Sequence, residues 1–215
     1  RFPWVAPEAA DWLLTPTPFE GFHLRPAAWG GGADRELLVA DDGPRALAAL
    51  VQIARVENLV RLAAAQDAAR TLGLTVRLEV RGPGGAGDAR PLRERGTVRP
   101  GDDLRIDVRN AGTRTLDVWV FLLDAGYGVS VLAPGAVATP RLRPGASFAP
   151  VEAFVTDTTL GVERVLAIAV PADEAAPPVD LRWLAAPPLE AARARARAPG
   201  GSGALADLLM AYAFP

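Results

Sequence analysis

The stretch Leu116-Asp-Val-Trp-Val-Phe-Leu-Leu123 constrains this chain more than any other. A run that is apolar on nearly both faces has to lie between two covering layers, and its length and its Val, Trp and Phe content are those of a strand. The run therefore predicts a central β-strand. The segments around it carry a period of two. Leu74, Val76, Leu78 and Val80 alternate with Thr75, Arg77, Glu79 and Arg81, and Leu104, Ile106 and Val108 alternate with Arg105, Asp107 and Arg109. After the central run, Asp124-Ala-Gly126 turns the chain into 127–133, a hairpin partner with Val129 and Val131 pointing inward. Further strands are expected at 148–156 and at 162–170, where Val162, Leu166, Ile168 and Val170 share one parity. Pro-Gly pairs recur at 100, 134 and 144, and no helical crossover lies between these strands. Short strands with such punctuation predict an antiparallel sandwich in place of a doubly wound sheet.

Ahead of the strands, Asp41-Asp42-Gly43-Pro44 supplies a capping acid and a proline for a first helical turn. Leu47, Leu50, Val51 and Ala54, continued by Val56, Leu59, Val60 and Ala63, form a wide, drifting apolar stripe that Gly73 ends. Such breadth predicts a helix largely covered by the rest of the protein. Residues 1–33 carry Trp4, Trp12 and Trp29 among prolines and end in three glycines, which predicts irregular extended chain pinned along the body, followed by a short strand at 36–40. After a last strand at 179–184, Pro187-Pro188 opens an Ala-rich run that predicts a helix. The linker 199–203 then leads to Leu205, Leu208, Leu209 and Tyr212, spaced for a short amphipathic helix. The expected fold class is mainly β (α+β), an antiparallel β-sandwich with one long packed helix before it and short C-terminal helices. Its parts are an N-terminal extended segment plus helix (1–73), the sandwich (74–185) and a helical tail (186–215).

Composition narrows the chemistry. Half the residues are hydrophobic and 22% are charged, which excludes a disordered tail, and a net charge of −2 selects no polyanionic partner. All 23 cations are Arg, with no Lys, a codon signature of a GC-rich bacterial source, for which the cytoplasm is the expected compartment. Without cysteine the chain has no disulfide, no thiolate metal site and no thiol nucleophile. No run of about 18 apolar residues occurs, so no membrane span is expected. The start at Arg1-Phe-Pro-Trp lacks an initiator Met and a signal-peptide pattern, so a piece of a longer protein is expected.

The motifs that suggest catalysis dissolve in context. Gly82-Pro-Gly-Gly-Ala-Gly87 matches a dinucleotide fingerprint, but Pro83 removes a donor and no helix follows to hold a pyrophosphate, so a hairpin loop is expected and no cofactor. His23, Asp124 and Ser130 have the residue types of a triad, yet Gly128-Val-Ser130-Val-Leu lacks the second glycine of a nucleophile elbow. His23 instead suits packing or hydrogen bonding. The acid pairs at 41–42, 102–103 and 173–174 fall in turns without a calcium-loop pattern, so no metal is expected. Arg193, Arg195 and Arg197 fan around a helix surface, giving a solvated face and no nucleic-acid contact. Trp119 and Phe121 share one strand face, where packing under the long helix competes with a binding platform that Tyr127 would extend.

One succession of segments is more specific: Gly101-Asp-Asp-Leu-Arg-Ile-Asp-Val-Arg-Asn110, then 116–124, then Gly128-Val-Ser-Val-Leu-Ala-Pro134, then Leu142-Arg-Pro-Gly145, then Leu160-Gly-Val-Glu-Arg-Val-Leu-Ala-Ile-Ala169. This order resembles the β domain of unknown function that follows caspase-like peptidase domains in many bacterial proteins. Ile53-Ala-Arg-Val-Glu-Asn-Leu-Val-Arg-Leu62 looks like the helix preceding that domain, and 205–213 looks like the ending found there. The resemblance spans about 45–185. It implies a parent similar to a metacaspase or orthocaspase, a cysteine endopeptidase with a His-Cys dyad, of which this chain is the non-catalytic C-terminal accessory region. The implied partner is the caspase-like peptidase domain in the same precursor or complex. Neither dyad residue is carried over, since the chain has no Cys and Leu24 follows His23. A competing reading is a free-standing carbohydrate- or peptide-binding sandwich of the cell envelope, using Trp119, Phe121 and Tyr127.

Overall fold

The structure, a computed structural model, describes residues 12–17, 21–26, 37–39, 43–65, 71–92, 96–135, 139–156, 161–189, 204–208 and 212–213. In chain order the elements are β1 (Trp12–Thr17), β2 (Gly21–Pro26), β3 (Leu37–Val39), α1 (Gly43–Ala65), β4 (Leu74–Gly82), β5 (Ala86–Pro91), β6 (Thr97–Val98) and β7 (Asp103–Asn110). They continue with β8 (Leu116–Leu123), β9 (Val129–Ala133), β10 (Arg141–Leu142), β11 (Val151–Phe154), β12 (Val162–Pro171), β13 (Ala204–Leu208) and β14 (Tyr212–Ala213). One sheet has the order β11-β7-β4-β5; a second runs β10-β8-β12-β13-β6, with β9 also on β8 and β14 also on β12. The expected mainly β, antiparallel architecture is present.

The alternating strands behave as their period demands. Leu74, Val76, Leu78 and Val80 of β4 and Ile106 and Val108 of β7 are buried against Leu116, Val118 and Val120 of β8 and Val165, Ala167 and Ala169 of β12. This cluster is the interior of the sandwich. The opposite parity of β8 and β12, Trp119, Phe121, Leu123, Leu166 and Ile168, packs against Val56 and Ala63 of α1. The second sheet is thus a middle layer, and the doubly apolar run 116–123 is its centre.

The helix is present but turned relative to the stripe read from sequence. Its covered positions are Ala46, Ala49, Ile53, Val56 and Ala63, spaced by three, four, three and seven, whereas Leu47 is 52% exposed and Val51 and Leu62 are each 42% exposed. The first half of α1 is apolar on two adjacent stripes, and the one with small residues faces the protein because alanines let the helix come close. The Gly-rich 82–87 stretch is a hairpin joining β4 to β5.

Two further expectations change at the ends. Residues 12–17 and 21–26, expected as irregular chain, pair as an antiparallel hairpin extended by β3. Of the run expected as a short helix, Leu205 and Leu208 lie on β13 and Tyr212 on β14, both parallel to β12, while Leu209 lies outside the described residues. Edge pairing with β12 supplies backbone partners that outweigh a weak helical periodicity. The strand expected at 179–184 is a coil ending in a short 3-10 turn, Arg182–Leu184. Trp4, Trp29 and the Ala-rich helix expected from 188 to 198, apart from its first two residues, lie outside the described residues.

The sheets are stitched at one corner by Asn110, which is fully buried. Its Nδ2 donates to the carbonyls of Arg114 (2.7 Å) and Leu142 (3.0 Å), and its Oδ1 accepts from the Gly112 N–H at 3.0 Å. Gly112 has to be glycine for lack of room, since a methyl there would run into the Leu72 carbonyl.

The turned helix gives a direct expectation. Ile53→Ala should cost about 2–5 kcal/mol through a core cavity, whereas Leu47→Ala should stay within about 0.5 kcal/mol. Urea unfolding of the two variants measures this, and equal losses would place the wrong face inward.

Candidate functional site

The chemistry-bearing residues are mostly occupied with holding turns. Asp124 Oδ1 accepts the Gly126 and Gly128 N–H groups, both at 2.8 Å, closing the β8–β9 turn. Ser130 is exposed on β9 and His23 lies on β2, paired with Thr15 of β1. Asp102 Oδ2 caps Arg99 N–H at 2.9 Å, and Asp173 Oδ1 caps Ala175 N–H at 2.9 Å. Among the described residues no group of three His, Cys, Asp or Glu side chains converges as a metal cage. Arg193, Arg195 and Arg197 lie outside the described residues.

The aromatic residues are brought together, but beneath other elements. Trp119 is 3% exposed and Phe121 is fully enclosed, with their rings stacked at 6.2 Å between centroids. Trp119 Nε1–H donates to the Val179 carbonyl at 2.8 Å, and the Arg182 guanidinium lies 6.0 Å from its ring centre. Tyr127 occupies the turn at φ +61°, an uncommon conformation for a residue with a side chain. Its carbonyl accepts from Gln52 Nε2 of α1 at 2.8 Å, and the same nitrogen donates to the Pro187 carbonyl at 2.7 Å. Helix, hairpin turn and the segment after β12 meet there.

Two features escape the hydropathy pattern. The first is Asp117, 1% exposed within the apolar run. Directly opposite in the register stands Arg141 of β10, whose Nε and Nη2 bind Asp117 Oδ1 and Oδ2 at 2.9 and 3.1 Å. Val179 N–H donates to the same carboxylate at 3.0 Å, and Arg141 Nη1 donates to the Ala176 carbonyl at 3.0 Å. The hydrogen bond to Asp117 holds the Arg141 guanidinium above its ordinary value. This forked pair fastens the coil after β12 across the sheet. The acid in an apolar strand was the one legible signal.

The second is an apolar groove of about 500 Å³ between α1 and the 3-10 turn. Val51, Ala54, Leu59 and Leu62 form one wall; Leu181 and Trp183, the latter 66% exposed, form the other. The turn carrying Trp183 is held by Arg182, whose Nη2 and Nε bind Asp180 Oδ2 and Oδ1 at 2.9 and 3.0 Å while its backbone N–H donates to Oδ1 at 2.9 Å. What this surface offers chemically is desolvation of an apolar partner, with Arg55 and Asn58 at its margin.

No protein-family model matches the sequence, and neither curated proteins nor solved structures give a match. Among the described residues no helix is long and apolar enough to cross a membrane.

Two outcomes test this geometry. Asp117→Leu or Arg141→Met alone should lower the thermal midpoint by leaving a buried or half-buried charge unpaired, and the double variant should recover much of the loss. Additive losses would show that the pair does not act as a unit. The Arg182 guanidinium, then its backbone N–H, holds the Asp180 carboxyl below its ordinary 3.8. A carboxyl with a lowered folded-state value adds stability that is present above about pH 4 and is lost as pH falls through that value. The midpoint difference between the natural chain and Asp180→Asn should therefore persist at pH 7 and shrink below pH 4; a constant difference would assign the effect to shape alone.

Proposed function

We propose that this chain is the non-catalytic C-terminal accessory or regulatory region of a bacterial caspase-like cysteine endopeptidase, packing on or targeting the peptidase domain. The observation that carries this reading is the groove beside α1. Soluble domains rarely leave Leu, Val and Trp side chains contiguous and open to water unless another surface covers them. Leu47, Val51 and Leu62 lie on one stripe of α1, and Trp183 stands across the groove from it. The helix that carries the stripe is also the segment that resembles the one preceding the β domain in caspase-like proteins.

Asp102, Asp117, Asp124 and Asp173 are each committed to turn or clamp hydrogen bonds, which agrees with a binding role for these four acids. The reading as a carbohydrate- or peptide-binding module finds less support. It needs the Trp119 and Phe121 faces open, and both are enclosed.

The test begins with the sequence upstream of Arg1, where a caspase-like domain with its His and Cys is expected. The chain is then combined with that domain, and binding is followed by calorimetry beside peptide turnover. A complex is expected, together with no turnover by the chain alone. Turnover that follows the isolated chain through repurification, or no association with the peptidase domain, overturns the proposal.

A further inference from the structure

We infer that the groove between α1 and the 182–184 turn is the seat of an amphipathic α-helix that places a carboxylate beside Arg55. The inference rests on the accessory-region reading for the owner of that helix, and on the groove itself for the helix's chemistry. Val51, Ala54, Arg55, Asn58, Leu59 and Leu62 line it at i, i+3, i+4, i+7, i+8 and i+11. They form one continuous helical face about 16 Å long, whose ridges suit the grooves of a second helix.

The walls decide which backbone can enter. An extended segment would bring unpaired N–H and C=O groups against Leu59, Leu62, Ile168 and Leu181, which offer no partners. A sugar brings the same difficulty through its hydroxyls. A helix arrives with its backbone hydrogen bonds already made and needs only an apolar stripe to match, with Trp183 as the aromatic anchor on the far wall.

Charge decides between a foreign helix and a second copy. Arg55 is exposed, is the sole charged residue lining the groove, and has no ion-pair partner among the described residues. In a two-fold, antiparallel pairing of two copies of α1 that sets Leu47 against Leu62, the helices cross between Ala54 and Arg55. That arrangement brings two guanidinium groups together at the centre, which is repulsive. A carboxylate on the incoming helix removes this conflict and pairs with Arg55 at an apolar rim.

The probe is a synthetic helical peptide of about 18 residues, with Leu at i, i+3, i+4, i+7 and i+11 and Glu along one flank. Its control has Lys in place of Glu, and binding to the intact chain is followed by fluorescence anisotropy. The Glu peptide should bind about tenfold tighter than the Lys peptide, and Arg55→Glu should reverse that order. Leu62→Glu should abolish both interactions while leaving the thermal midpoint unchanged, and Trp183→Ala should weaken both. Equal binding of the Glu, Lys and scrambled peptides overturns the inference. So does dimerisation of the chain that Leu62→Glu removes, which would assign the groove to a second copy. The same variants are then tested against the caspase-like domain. Binding there that survives Leu62→Glu and Arg55→Glu overturns the groove assignment and keeps the accessory reading; peptide binding without peptidase binding does the reverse.

Discussion

β8 and β12 pair antiparallel along eight register positions, from Leu123 with Arg164 to Leu116 with Pro171, and both faces of this ribbon lie under other layers. Backbone groups in such a place have no access to water, so the ladder must be complete for burial to be tolerable. The apolar side chains on either side can then contribute about 1.5–3 kcal/mol each from desolvation. Two layers are positioned by this ribbon: the β4–β7 sheet by its even-numbered β8 residues, α1 by Trp119, Phe121 and Leu123.

A carboxylate inside that ribbon needs a reason, and Asp117 has one. Its two oxygens take the Arg141 fork, and one of them also receives the Val179 N–H. Desolvating an ion pair is costly, and replacing both partners by apolar groups would often stabilise the fold. What the pair adds is position. It fixes the coil after β12 over the edge of the sheet, and the Trp119 indole N–H reinforces this through the Val179 carbonyl. The turn that ends the coil carries Trp183. A buried charge in the middle layer is thereby linked to the shape of the solvent-facing groove.

The helix mediates between core and surface in a similar way. One seam of α1 has Ala46, Ala49, Ile53, Val56 and Ala63 buried, with Val56 and Ala63 packed against the middle sheet, and an adjacent seam has Leu47, Val51 and Leu62 facing outward. A helix needs only one apolar seam to dock inside its own domain. The second seam, the Trp183 wall and the Arg55 guanidinium together form a surface whose apolar area is stabilised once it is covered.

The strands are legible in the sequence because burial on one face writes a period of two and burial on both writes a continuous run. The inward positions of β4, β7 and β8 follow from that alone. The glycine-rich 82–87 stretch is likewise legible as a loop, since a phosphate loop requires a helix that the residues after Gly87 do not encode. The orientation of α1 was not legible, because two adjacent stripes were equally apolar and hydropathy cannot rank alanines above leucines for contact. The strands at 204–208 and 212–213 are not legible for a related reason: a short helical spacing is a weak local preference, and an open strand edge elsewhere in the molecule overrides it.

The sequence by itself determined the alternating strands, the central strand and the absence of a thiol, because these are written in side-chain type and spacing along the chain. Only the tertiary structure decided that Arg141 stands opposite Asp117, that Trp119 and Phe121 are enclosed, and that Trp183 faces α1 across a groove. Each of these joins residues far apart in sequence, and such a meeting is set by strand register and layer packing, which no local pattern records.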